Sequence, residues 1–181
     1  VGAFGKTGRG TEEYTGSGPV DLLVGTLGKA FGVNGGYLTG PQVIIDYLRE
    51  TSPFYIYSNP ITPAEAAAAI SAINTVDSDR GRKLLTHLRQ MTVRFETGLT
   101  RLGHEIIAGE HPVVPLMVRD TDKTSALVRH LYDNGVLATG LNYPVVPAGE
   151  EEIRFQICAD HNVADIDFAL DVIGRFETKS Q

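Results

Sequence analysis

Gly25-Thr26-Leu27-Gly28-Lys29-Ala30-Phe31-Gly32 follows directly on the apolar run Val20-Asp21-Leu22-Leu23-Val24. A short apolar run bounded by Pro19 and Gly25 predicts a buried strand over 20–24, and GYLT at 36–39 predicts a second one after a turn. Between them a lysine sits among glycines. Small neighbours let a ligand approach the backbone closely, and Thr26 offers a hydroxyl and an N–H to an anion. A partly desolvated Lys29 would be pushed toward the neutral, nucleophilic amine, which suits a lysine that forms a Schiff base. The same eight residues also suit a solvated lysine on a glycine turn, and on their own they do not choose.

Outward from this stretch, 12 of the 20 glycines fall within residues 1–40. VGAFGKTGRGTEEYTGSGP at 1–19 is too rich in glycine for a regular element and is read as a loop. Gly5-Lys6-Thr7 matches the end of a P-loop, but no apolar periodicity follows to supply the helix that a P-loop opens, so the context speaks against triphosphate binding.

Downstream, Pro41 begins a helix that Pro53 stops, and FYIYS at 54–58 reads as an aromatic strand. Pro63 starts an alanine-rich helix whose small side chains permit close packing. Leu84, Leu85, Leu88, Met91, Phe95, Leu99 and Leu102 recur at helical spacing, which predicts a long amphipathic helix from about 79 to 102, ended by Gly103. Strands are expected at 113–118, 136–141 and 152–158, with a helix at about 122–134 closed by Gly135. A last helix has Asn162 as its N-cap and Ile166, Ala169, Leu170 and Ile173 on its buried face. The fold class is α/β or α+β, and the long helix leads into a second domain.

Composition narrows the function. The net charge of −6 argues against nonspecific attraction to nucleic acid or anionic membrane. Cys158 is the only cysteine, so no disulfide framework or CxxC motif is possible, and a reducing cytoplasm is expected. No apolar run approaches the roughly 20 residues that span a bilayer. His87, His104, His111, His130 and His161 lack metal-ligand spacing, so no metal is expected. In Glu152-Ile153-Arg154-Phe155-Gln156-Ile157 the apolar positions alternate with Arg154 and Gln156. An arginine fork on a rigid strand can hold a carboxylate through two hydrogen bonds, or it can simply face solvent. The acidic run Glu150 to Glu152 reads as a solvated turn.

Taken together, VGAFGKT and GRGTEEY at 1–14, VDLLVGTLGKAFG at 20–32, GGYLTG at 35–40, FYIYSNPITP at 54–63 and NYPVVPAGEEEIRFQICADH at 142–161 resemble the carboxy-terminal half of the α-oxoamine synthases. The resemblance runs from residue 1 to about residue 174. It implies an α/β pyridoxal-phosphate enzyme of fold type I, with residues 1–76 as the end of the large cofactor-binding domain and residues 77–181 as a linking helix and small α/β domain.

The same resemblance implies that Lys29 carries the cofactor as an internal aldimine and that Thr26 contacts its phosphate. Ser58 and Asn59 would reach the phosphate of the partner's site in a homodimer, and Arg154 would bind the amino-acid carboxylate. The reaction implied is condensation of an amino acid with an acyl-CoA. GRGTEEY and YSNPITP look most like the enzyme that joins glycine and acetyl-CoA, 2-amino-3-ketobutyrate CoA ligase. The alternatives are 5-aminolevulinate synthase and 8-amino-7-oxononanoate synthase. The family's aspartate facing the pyridine nitrogen and its ring-side histidine are expected upstream of Val1, so this stretch alone should not complete the reaction. A reading of another class is a noncatalytic association module.

Overall fold

The computed structural model describes residues 1–178, which pack as two units, one ending at Leu85 and the other beginning at Thr86. The first unit contains α1 (Thr11–Thr15), the strands β1 (Leu23–Thr26) and β2 (Gly36–Thr39), α2 (Gln42–Thr51), α3 (Pro53–Ile56) and α4 (Pro63–Val76). The long helix α5 (Asp79–Arg101) begins in this unit and continues into the second.

Strands β1 and β2 form an antiparallel hairpin in which Val24 faces Leu38 and Thr26 faces Gly36. The start of α4 is fixed by its sequence. Pro63 has no N–H to leave unpaired, Thr62 Oγ1 accepts from the Glu65 N–H at 3.2 Å, and Glu65 accepts from the Thr62 N–H at 2.7 Å. Hydrogen bonding from the Thr62 backbone N–H, and next from its side chain, holds the Glu65 carboxyl below its usual range. The alanines of α4 serve close packing, since Ala69 is buried and Ala72 packs with it against Leu27, Phe31 and Val33.

Three expectations for this unit need correction. The strand expected at 20–24 is shifted to Leu23–Thr26. FYIYS is not a strand: Pro53 occupies the first turn of α3, and Phe54 to Tyr57 are exposed, with no strand paired to them among the described residues. Its aromatic composition suggested β-structure, but propensity of that kind reflects packing on a sheet that is lacking here. Residues 11–15, read as loop, form the short helix α1.

The second unit is built on a four-stranded sheet, with β3 (Glu105–Ile106), β4 (Val113–Met117), β5 (Thr139–Leu141) and β6 (Glu152–Gln156) in the order β3-β4-β6-β5. All its neighbours are antiparallel. Helices α6 (Thr121–Asp133) and α7 (Val163–Thr178) complete it with the remainder of α5. The β3–β4 ladder stops where Ile107 donates to the Pro115 carbonyl at 3.2 Å, because Pro115 has no N–H to return the bond.

Alternation sends Val114, Leu116, Ile153 and Phe155 to one face of the sheet, where they are buried. Phe95 of α5 meets Phe155 edge-on at 5.0 Å between ring centres. Gly98 lets α5 and α7 approach, since a Cβ there would stand 2.2 Å from Leu170 Cδ1. The helix ends follow the glycines predicted to close them. Gly103 and Gly135 take positive φ, and the next residues donate back across the last turn, His104 to Leu99 and Val136 to Leu131. This cap absorbs residues 135–138, so the strand expected from 136 begins at Thr139. Asn162 caps α7 by accepting from the N–H groups of Ala164 and Asp165 at 2.8 and 3.2 Å.

Candidate active site

Lys29 lies in the loop between β1 and β2, and this loop is fastened at both ends. Leu27 donates to the Gly35 carbonyl and Val33 to the Leu27 carbonyl, each at 3.0 Å, and Gly32 closes a turn onto the Lys29 carbonyl at 3.1 Å. Leu27, Phe31 and Val33 are buried against α4, which pins the loop at three points. Thr26, Gly28 and Lys29 between and beside these anchors are exposed. Thr26 Oγ1 accepts from the Gly28 N–H at 3.2 Å, which leaves its own hydrogen to donate elsewhere. A primary amine and a hydroxyl are thus held within four residues on a fixed turn. That donor set fits a ligand with an aldehyde and a phosphate. The desolvation of Lys29 expected from the sequence is not supplied by the described residues, among which its side chain is open.

The amino-terminal segment abuts the same loop. Gly2 has φ +89°, and a Cβ there would lie 2.4 Å from the Ala30 Cβ, so only glycine fits. Gly5-Lys6-Thr7 is not arranged for a triphosphate. The Glu13 carboxylate accepts from the Thr7 N–H at 2.9 Å, from the Thr7 hydroxyl at 2.8 Å and from the Arg9 N–H at 3.1 Å. The donors a P-loop would present to phosphate are therefore occupied within the chain. Although its limited burial works the other way, these hydrogen bonds hold the Glu13 carboxyl below its usual range.

Ser58 and Asn59 follow α3 and are exposed, with the Ser58 hydroxyl donating to the Phe54 carbonyl. Among the described residues no hydrogen bond joins either of them to Thr26 or Lys29.

Arg154 belongs to the second unit, on the interior strand β6, opposite Pro115 of β4 and Thr139 of β5. Its side chain is half exposed, and Nη2 donates to Glu152 Oε1 at 3.0 Å. Glu152 and Glu151 are buried, which corrects the reading of this run as a solvated turn. Glu151 accepts from the Thr121 hydroxyl at 3.1 Å and the Gly149 N–H at 3.0 Å. Its carbonyl accepts from the N–H groups of Val118 and Arg119. Sequence reading missed Glu152. The available signal was its place two residues before Arg154, on the same face of the strand.

The histidines make structural bonds. His87 Nε2 is 2.8 Å from the His161 carbonyl, and His130 Nε2 is 2.9 Å from that of Val172. Among the described residues no group of three or more His, Cys, Asp or Glu side chains could hold a metal ion. No described helix is long and apolar enough to cross a membrane.

The 8-amino-7-oxononanoate synthase of Petrotoga mobilis is 37% identical over 171 residues, spanning 93% of this chain and 43% of that protein. The 8-amino-7-oxononanoate synthase 1 of Bacillus velezensis is 39% identical over 173 residues, spanning 95% of this chain and 44% of that protein. Among solved structures, serine palmitoyltransferase from S. paucimobilis with a bound PLP–myriocin aldimine superposes with a TM-score of 0.90 at 25% identity. That match covers 99% of this chain and 45% of the other. The chain therefore spans less than half the length of the relatives it matches. These relatives carry the name of an alternative in the sequence reading and not that of the glycine- and acetyl-CoA-using ligase. The family model for aminotransferase class I and II matches residues 2–173. The chain belongs to that family, the pyridoxal-phosphate enzymes of fold type I.

Proposed function

We propose that the protein carrying this chain is an α-oxoamine synthase of the 8-amino-7-oxononanoate type, joining an amino acid to an acyl thioester. The observation that carries the reading is the exposed Lys29 amine on a pinned loop beside the Thr26 hydroxyl, in a chain 37% identical over 171 residues to such a synthase. The product's name states its chemistry. Its last two carbons and amine are what alanine leaves after losing its carboxyl, and the other seven are an acyl chain ending in a carboxylate.

Bound pyridoxal phosphate supplies an electron sink for negative charge at the substrate's α-carbon. The chain's residues do the remainder. Lys29 Nζ would hold the cofactor covalently and would take and return the substrate's α-proton as a general base. Thr26 donates its hydroxyl hydrogen to a phosphate oxygen. Arg154 grips the amino-acid carboxylate and so sets the angle of the bond to be broken. Ser58 and Asn59, exposed and unconnected to Lys29, serve the partner's phosphate in a homodimer. A cytoplasmic setting belongs to the same reading.

Glycine with acetyl-CoA is the second reading, favoured by the motifs GRGTEEY and YSNPITP. Its weight is reduced because relatives at 37% and 39% identity are 8-amino-7-oxononanoate synthases. The test is thiol release by the full-length protein with alanine or glycine against a panel of acyl thioesters. Alanine with a seven-carbon carboxy-acyl thioester is expected to be turned over fastest. Turnover of glycine with acetyl-CoA alone establishes the second reading, and no turnover with any pair by protein loaded with cofactor overturns both.

A further inference from the structure

We propose that Glu152 is a positioning residue that orients the Arg154 guanidinium toward the amino-acid carboxylate; the inference rests on the reading of Arg154 given above. Glu152 is the first residue of β6, between Met117 of β4 and Leu141 of β5, and Arg154 stands two residues on, on the same face of the sheet. The Glu152 side chain is 10% exposed and that of Arg154 51%, with Oε1 and Nη2 3.0 Å apart. A carboxylate this far out of water is costly to keep unless it is paired, and among the described residues Arg154 is the cation that pairs with it. Both members are fixed to one interior strand, so the backbone sets their separation.

The form of the contact separates this pair from two other arginine pairs in the unit. Arg94 gives Nε and Nη2 to the two oxygens of Asp167, each at 2.7 Å, and Arg119 gives Nε and Nη2 to those of Glu105 at 2.8 and 2.5 Å. In those pairs the fork is consumed. Glu152 touches Arg154 at a single nitrogen and leaves further N–H groups of a half-exposed guanidinium to meet a second carboxylate. A buried acid holding one corner of an open fork is suited to orientation, because the side chain is steered without being occupied.

The test uses the full-length enzyme loaded with pyridoxal phosphate. The amino acid's Kd is read from its effect on the cofactor absorbance, and kcat is measured alongside for Glu152→Ala, Glu152→Gln and Arg154→Lys. Loss of one oriented charge-assisted contact predicts a Kd raised about tenfold in Glu152→Ala, and kcat falls with it because Arg154 also sets the angle of the bond to be broken. Glu152→Gln, which keeps the shape and an acceptor oxygen, is expected to recover most of the affinity, and if Glu152→Ala does not fold, a Kd between those of wild type and Arg154→Lys in Glu152→Gln supports the proposal. In the Arg154→Lys background, Glu152→Gln should add nothing. An unchanged or tighter Kd in Glu152→Ala, or in Glu152→Gln where Glu152→Ala does not fold, together with weakened binding in Arg154→Lys, overturns the role of Glu152. An unchanged Kd in Arg154→Lys instead overturns the reading of Arg154 on which it rests.

Discussion

The two units differ in how large a core they close. In the second, Phe95, Leu99, Leu116, Leu127, Leu131, Ile153, Val172 and Ile173 are all at most 1% exposed and close one core between the sheet and its helices. In the first, the buried cluster is Leu27, Phe31, Val33 and Ala69, while Val24 at 74%, Val43 at 75%, Phe54 at 89% and Tyr57 at 88% stay open. Each large side chain withdrawn from water contributes roughly 1.5–3 kcal/mol, so burial stabilises the second unit more than the first. The small cluster of the first unit has a narrower task, which is to hold the Lys29 loop still.

The largest effect expected from this difference concerns autonomy. Expressed alone, residues 86–181 should show a cooperative thermal transition by circular dichroism, and residues 1–85 should not. Cooperative melting of the first unit alone would break the comparison. Next in size, Phe95→Ala removes a fully buried ring from the edge-on pair with Phe155 and should cost the second unit about 3–5 kcal/mol, measured by denaturant titration of 86–181. A loss below about 1 kcal/mol would mean that the core relaxes around the gap.

The smallest effect is electrostatic. Hydrogen bonds from the Arg94 side chain hold the exposed Asp167 carboxyl below its usual range. A carboxyl depressed in the folded state adds stability above its unfolded pKa and loses it as pH falls through the folded value. Asp167→Asn should therefore melt slightly below wild type at neutral pH, and the two should converge in acid. A difference that persists in acid would assign the loss to packing.

Legibility in the sequence followed the same division. Helix α5 was readable from Leu84 to Leu102 because its apolar spacing matches a core that exists in the second unit, and Asn162, Gly103 and Gly135 act through local backbone geometry alone. Phe54 to Tyr57 misled because their apolar character is not used inside the described chain. The Lys29 loop was visible as a motif, whereas its fastening by Leu27, Phe31 and Val33 onto the alanines of α4 needed the tertiary structure. Glu152 was hidden because an acidic run ordinarily faces water, and only the register of β6 shows it buried beside Arg154.

The central claim is that Lys29 is the residue that holds pyridoxal phosphate. It is tested most directly by loading the full-length protein with the cofactor, reducing it with borohydride and locating the adduct by peptide mass spectrometry. A single stoichiometric pyridoxyl group is expected on Lys29 and none in Lys29→Ala; an adduct on Lys6 or another lysine, or none at all, would contradict that assignment.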